Sequence, residues 1–540
     1  MKHLGQLKAL VLVSMTIAAL ACTAAQPAPQ ATSPDAQPRA GGTFNISTTS
    51  DPFDFDKSYS GSTGINGNIV ALGYSALMRM KTGADIRYSD RVIEPVLAER
   101  WEVSADGKTY TFHLRKAVKF ADAAPVNGRE LKAADVKFSY EYSARTDAFK
   151  KLGNGQYQWM FEGMDSIQTP DASTVVVKFS EAFVPFLYYA ASSDNVIMPR
   201  EIYDQAGHFK DTLVGTGPFQ PDIALSQKGS VWVLKKNPTY FEPGKPYLDE
   251  LRILIVPDSA TQQAAFLTKR IDTLTATDVR SGQEIRRANP DAKEFKDSNI
   301  NVRLILSQTI PPLDSPKVRK AISLALDRDE GIKVLEGGDG KWAFQGTTFF
   351  EDLFTEDEVK ASVKYDPVEA KRLLTEAGYP NGINVEMRFA NSTATVTKLE
   401  LFQAQLKKVG INMTLKPMQA EEYNAQKRDR TFQMHILGEP GAVDLDAWLR
   451  LIASPQGSFN YGGIDDPKIN EWLAAERKEL NPEKRNEIFR QLIRYANESA
   501  IMVPSWRGTR STFAQPYVNG WHHQLDYRLV GSVWNTWIDK

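Results

Sequence analysis

Cysteine occurs once in the 540 residues, as Cys22, so neither an intramolecular disulfide nor a cysteine metal cluster can form. His522 and His523 are adjacent. In a strand, neighbouring side chains point to opposite faces, so the two are not expected to share a metal. No His-Glu-x-x-His zinc motif, no phosphate loop ending in Gly-Lys-Ser/Thr and no Gly-x-Ser-x-Gly elbow occurs. The glycine-rich "GGDGKW" at 337–342 lacks phosphate-loop spacing and reads as a plain loop. Without a nucleophile, metal or cofactor pattern, the chain is not expected to be an enzyme or to need a cofactor.

Composition points to binding. Lys+Arg number 65 and Asp+Glu 66, for a net charge of −1, which argues against a nucleic-acid partner. The 10 Trp, 19 Tyr and 26 Phe read either as core packing or as the lining of a concave ligand site. The length suggests about three or four domain-sized units.

The first residues read as an address. Lys2 and Lys8 precede an apolar run over 9–21. At ~1.5 Å per helical residue this run is too short to cross a ~30 Å hydrocarbon core. Residues 1–21 are therefore expected to be a secretory signal peptide. No later stretch approaches ~18 consecutive apolar residues, so no transmembrane helix is expected. The order Ala19-Leu20-Ala21-Cys22 resembles a bacterial lipoprotein box, with its leucine one place closer to the cysteine than the pattern has it. The resemblance implies a lipid on Cys22. The alternative is ordinary cleavage near Ala21 or Ala25. Residues 22–40 carry four prolines and almost no large apolar side chain, the composition of a disordered tether.

Local patterns then set out the elements. "GGTFNIS" at 41–47 reads as a strand. "WEVSADGKTYTFHLR" reads as a hairpin with Trp101 and Val103 alternating on one arm and Tyr110, Phe112 and Leu114 on the other, turned at Asp106-Gly107. "IQTPDASTVVVKF" repeats the device around Pro-Asp. In "DSPKVRKAISLALDRD", Val318, Ile322, Ala325 and Leu326 mark a helix face; Asp314 or Ser315 can cap it, with Pro316 in the first turn. In "YDPVEAKRLLTEAGYPNG", Asp366 is the expected N-cap, Glu369 completes a capping box, and Gly378 ends the helix. Strands and helices are interspersed without a fixed-period repeat, which predicts a mixed α/β protein of more than one lobe.

Several of these segments, taken in order, resemble the bacterial family 5 solute-binding proteins of ABC transporters, the oligopeptide- and dipeptide-binding group. They are "VLAERWEVSADGKTYTFHLRKAVKF", "AADVKFSY", "VGTGPFQ", "KKNPTYFEPGKPYLDELRI", "SPKVRKAISLALDRD", "YDPVEAKRLLTEAGYPNG" and "LFQAQLKKVGINMTLKP". The resemblance runs from about 41 to 521. It implies a two-lobed, type II periplasmic-binding-protein-like α/β fold. Lobe I would hold 41–298, with an extra subdomain at roughly 80–185, and 505–540 would return to it. Lobe II would hold 299–504. The hinge would lie near 297–302 and 504–508. Ligand touching both lobes would favour the closed state.

The resemblance also implies candidate ligand contacts. Peptide-binding relatives carry Gly-Trp-x-x-Asp, whose Asp pairs with a peptide α-ammonium. The matching stretch is "FQMHILGEPGAVDLDAWL", with Glu439 in the tryptophan's place. Phe432, Met434 and Ile436 alternate toward a buried face, leaving Gln433 and His435 for the other. Either Glu439 or Asp444 substitutes and the ligand is a peptide, or the ligand is a sugar or other polar solute without a free α-amino group. Asp446 is the next acid, and Trp448 and Trp159 could stack on either ligand. Tyr59, Tyr74 and Trp506 lie near segments that contact ligand in the family. The implied partners are a peptide or small-molecule ligand, ABC permease subunits and a membrane reached through the lipid anchor, for an extracytoplasmic monomer. A sensory receptor of the same fold and an extracytoplasmic hydrolase are the competing classes.

Overall fold

The computed structural model describes residues 37–52, 54–57, 65–83, 86, 88–298, 303–343, 353–390, 393–438, 442–522 and 532–540. Cys22, Tyr59, Glu439 and His523 lie outside the described residues.

The body from Arg39 to Lys540 is one compact unit built on two large apolar cores and a small third one. The first core begins with strand Thr43–Thr48, in which Phe44 and Ile46 are buried at period two. That strand pairs in parallel with Glu250–Ile255, matching Phe44 to Leu251 and Ile46 to Ile253. Val231–Lys236 and Phe219–Pro221 complete this four-stranded sheet.

The expected hairpin forms as Ala98–Val103 and Thr109–Leu114, with Gly107 at φ +67° in its turn. Tyr110, Phe112 and Leu114 face the core as expected, but Val103 is exposed, because its strand is the outer one of its sheet. The Pro-Asp turn falls later than the sequence suggests. Strand Met164–Asp171 runs through both residues, and Asp171 Oδ1 instead accepts from Ser173 N at 2.7 Å. Helix Ala133–Ala144 then buries Val136, Phe138 and Tyr140 in the same core.

The second core wraps a five-stranded sheet in the order Ile411–Met418, Ile383–Ala390, Met434–Leu437, Arg303–Leu306, Val503–Pro504. Helix Pro316–Ala325 buries Val318, Ile322 and Ala325, with Leu326 buried just beyond it. Its N-cap is Ser315, without a side-chain capping bond. Helix Pro367–Glu376 is capped by Asp366, which accepts from Glu369 N at 3.0 Å. The Glu369 carboxylate pairs with Arg372 at 2.6 Å rather than closing the expected capping box.

The chain passes between the cores twice, side by side. It leaves through Lys293–Ser298 and enters the second sheet at Arg303–Leu306. It returns through Val503–Pro504, where Pro504 is registered against Arg303, into the long strand Trp506–Ala514. That strand belongs to both halves. Its start pairs with Gly340–Trp342, so part of the expected glycine-rich loop is a strand. Its later residues pair with Lys293–Ser298 and Thr273–Thr275. Trp506 is accordingly packed in the second core, whereas Phe513 and Ala514 belong to the first-half cores.

Candidate ligand seam

Strand Met434–Leu437 lies between Ile383–Ala390 and Arg303–Leu306, and the rings of Phe432, Tyr423 and Tyr461 cover the face on which His435 stands. The expected inside-outside alternation therefore fails at His435, which is fully buried. Phe432 sits edge-on to its ring at 4.3 Å and Tyr461 at 5.5 Å. Burial pushes its pKa down to about 3, so the ring is neutral. Nδ1 lies 2.8 Å from the Ile436 carbonyl, which fixes the proton on Nδ1. Gln433 is half-buried and tied on both ends: Oε1 accepts from Glu386 N at 2.8 Å and Nε2 donates to the Pro311 carbonyl at 3.0 Å.

Asp444, Asp446 and Trp448 stand on or next to helix Leu445–Ala453, and all three are buried. Asp444 accepts from Arg91 Nη1 at 2.8 Å and from Arg485 Nη2 at 2.6 Å. Asp446 takes a two-pronged contact from Arg477, Nε at 2.8 Å and Nη2 at 3.0 Å, and a hydrogen bond from the Tyr189 hydroxyl. Arg485 Nε also donates to Glu476 at 2.9 Å. Burial opposes ionisation of Asp446, but Arg477 and the hydrogen bonds outweigh it and hold its carboxyl below the usual range. Burial, then the charge of Asp446, pushes the Glu476 carboxyl well above that range, against the opposing pull of Arg485. Trp448 carries the Arg303 guanidinium 4.7 Å over its ring.

Trp159 is half-buried and touches both large cores. It meets Tyr189 edge-to-face at 5.2 Å and donates from Nε1 to the Gln156 carbonyl at 3.0 Å. Tyr74 is buried in the first core, where burial, then the charge of Asp56, raises its hydroxyl pKa. Trp506 packs edge-to-face on Phe402 at 5.4 Å and donates from Nε1 to Glu336 at 3.0 Å.

The structure thus gathers Trp159, Asp444 and Asp446 along the seam between the cores, while Trp448 lies inside the second core. Gln433 and His435 belong to the second sheet, and Tyr74 and Trp506 to separate cores. The sequence reading missed Arg91, Glu162, Tyr189, Arg450, Glu476, Arg477 and Arg485. Their partners are hundreds of residues away in most cases, as with Arg91 and Asp444, 353 apart, so no local spacing could mark them.

At one end of the seam lies a cavity of about 400 Å³, lined among others by Phe179, Phe183, Arg450, Leu473, Arg477 and Lys478. Glu162 reaches across it to Arg477 Nη1 at 2.6 Å and to Arg450; Glu181 pairs with Lys478; and Val184 N donates to the Arg477 carbonyl at 2.8 Å. Among the described residues, no three His, Cys, Asp or Glu side chains are grouped to hold a metal, and no helix is long and apolar enough to cross a membrane.

Two cores, a double chain crossing and a seam between them define a two-lobed binding protein of the periplasmic α/β type. Solved structures share this fold. A periplasmic binding protein of Helicobacter pylori, solved with the peptide STSA, superposes with TM-score 0.77 at 24% identity, over 93% of this chain and 99% of that one. The agropinic acid complex of a binding protein from A. tumefaciens superposes with TM-score 0.78 at 23% identity, over 92% and 99%. In sequence, residues 92–460 match the model of the bacterial extracellular solute-binding proteins, family 5, middle region. The dipeptide-binding protein of Escherichia coli is 30% identical over 77% of this chain and 80% of its own length. Heme-binding protein A of Haemophilus influenzae is 27% identical over 95% and 96%. The chain belongs to the bacterial extracellular solute-binding proteins, family 5. Its relatives are substrate-binding proteins of ABC transporters, not enzymes.

Proposed function

We propose that this protein is the extracytoplasmic binding subunit of an ABC importer, which closes two lobes over a peptide-like solute and delivers it to the permease. The observation that carries the peptide reading is the 30% identity to the E. coli dipeptide-binding protein over most of both chains. Physically, a solute touching both lobes gains contacts only when they close, so binding and closure are one equilibrium. Calorimetry of the soluble body against di-, tri- and tetrapeptides tests it. Saturable heat with one solute per chain is expected, and no heat from any peptide counts against it.

A second reading has its own support. Asp444 and Asp446, two of the acids considered for an α-ammonium, are already engaged by arginines. That favours a polar solute without a free amine, and a parallel titration with sugars and other non-peptide solutes separates the two.

We also propose that Cys22 carries a lipid and that 22–40 tethers the monomeric body near its permease. A single acyl chain binds membranes only reversibly, so a stable anchor needs more than one. Mass spectrometry of the N-terminal peptide from membranes is expected to show a diacylated or triacylated Cys22. Cleavage beyond Cys22 would exclude the anchor.

A further inference from the structure

Glu162 follows the short helix Gln158–Phe161 at the edge of the first core, and its side chain is 50% exposed. A single oxygen, Oε2, meets both Arg450 and Arg477. Two guanidinium groups converging on one carboxylate is the arrangement by which proteins hold the carboxylate of a ligand. Arg477 needs no help from Glu162 to keep this geometry. Asp446 grips its Nε and Nη2 from behind and leaves Nη1 aimed at the cavity. Arg450 is only 16% exposed, and its Nε has no hydrogen-bond partner among the described residues. Burial, then repulsion from Arg477, lowers its pKa. The cavity beside the pair offers Phe179, Phe183 and Leu473 as apolar wall, so there is room for the body of a small acid as well as its carboxylate.

We propose that the Arg450–Arg477 pair is a carboxylate-binding site at the seam, filled here by the protein's own Glu162, and that filling it holds the two lobes together. The inference rests on the reading that the lobes part and close. When they part, Glu162 leaves with the first core. The pair then faces the opened cleft and accepts a small carboxylate with an apolar body.

The amide of Val184 reports on this seam, because its acceptor is the Arg477 carbonyl on the other side. Hydrogen exchange there follows the open population even when it is small. In Glu162→Ala, exchange at Val184 is expected to speed up on the order of tenfold, the range for a lost charge-assisted hydrogen bond. Exchange in strand Thr174–Phe179 should stay unchanged, which separates opening from unfolding. In Glu162→Ala, acetate seated on the arginines takes the space Glu162 leaves and touches Phe179 and Phe183 of the first core, so it favours the closed seam. Sodium acetate should slow Val184 again, more than sodium chloride at equal ionic strength, and should do nothing in Glu162→Ala/Arg450→Gln. Unchanged Val184 exchange in Glu162→Ala overturns the inference. So does an acetate effect that chloride reproduces or that survives loss of Arg450. Failure of the importer reading shows differently, as wild-type protein that carries and binds no solute.

Discussion

Asp446 and Glu476 are both buried, yet the carboxyl of one is pushed down from its ordinary pKa and that of the other up. The difference is their neighbours: Asp446 has a forked contact from Arg477, while Glu476 lies beside the charge that Asp446 already carries. Asp446→Asn leaves Arg477 buried without its main counter-charge and is expected to cost about 3–5 kcal/mol in urea unfolding. Glu476→Gln keeps the shape and removes a carboxyl whose ionisation burial disfavours, and should be milder. A raised folded-state pKa gives stability that is full below the unfolded value of the group and is lost as pH rises through the folded one. Glu476→Gln should therefore gain on the wild type as pH rises. His435 has the opposite dependence. Its folded pKa of about 3 lies below the ordinary histidine value, so stability present above about pH 6.5 is lost as pH falls toward 3. His435→Gln, which cannot protonate, should lose less over that window, as read from unfolding curves at stepped pH.

At the scale of elements, the packing of Trp506 is the clearest mechanical constraint. A Cβ built at Gly331 would lie 2.4 Å from its ring, so helix Arg328–Leu335 approaches this close only because that residue is glycine. Gly331→Ala is expected to cost about 1–3 kcal/mol by overpacking, and Trp506→Ala about 3–5 kcal/mol by cavity formation, both read from denaturant midpoints. The elements themselves were largely legible. Pro367 after Asp366, and the alternation of Tyr110, Phe112 and Leu114, are local signals, and local physics obeyed them. Legibility ended where coverage depends on distant chain. Val103 lies bare at the end of a strand on the edge of its sheet, and His435 is buried because Phe432, Tyr423 and Tyr461 close over its ring. The residues at 337–342 split between a turn and a strand because Trp506–Ala514 supplies a partner from across the sequence. The arginine and carboxylate cluster was invisible for the same reason: its members share no periodicity and meet only in the folded chain.

For the whole molecule, the two crossings at 298–303 and 504–506 leave few covalent paths between the cores. Besides the shared strand Trp506–Ala514 and the apolar contact of Trp159 with both cores, the seam carries polar contacts from Arg91, Glu162, Glu181, Val184 and Tyr189 to the second half. Such an interface is suited to open and close, and charged contacts at its rim weaken with salt. On the proposed function, the seam closes over a small solute. Native mass spectrometry of the protein purified gently from the cells that make it tests this most directly. A one-to-one complex with a small organic solute, released on denaturation and rebinding when added back, is the predicted result. A chain that carries no solute, and binds none from an extract of those cells, would contradict it.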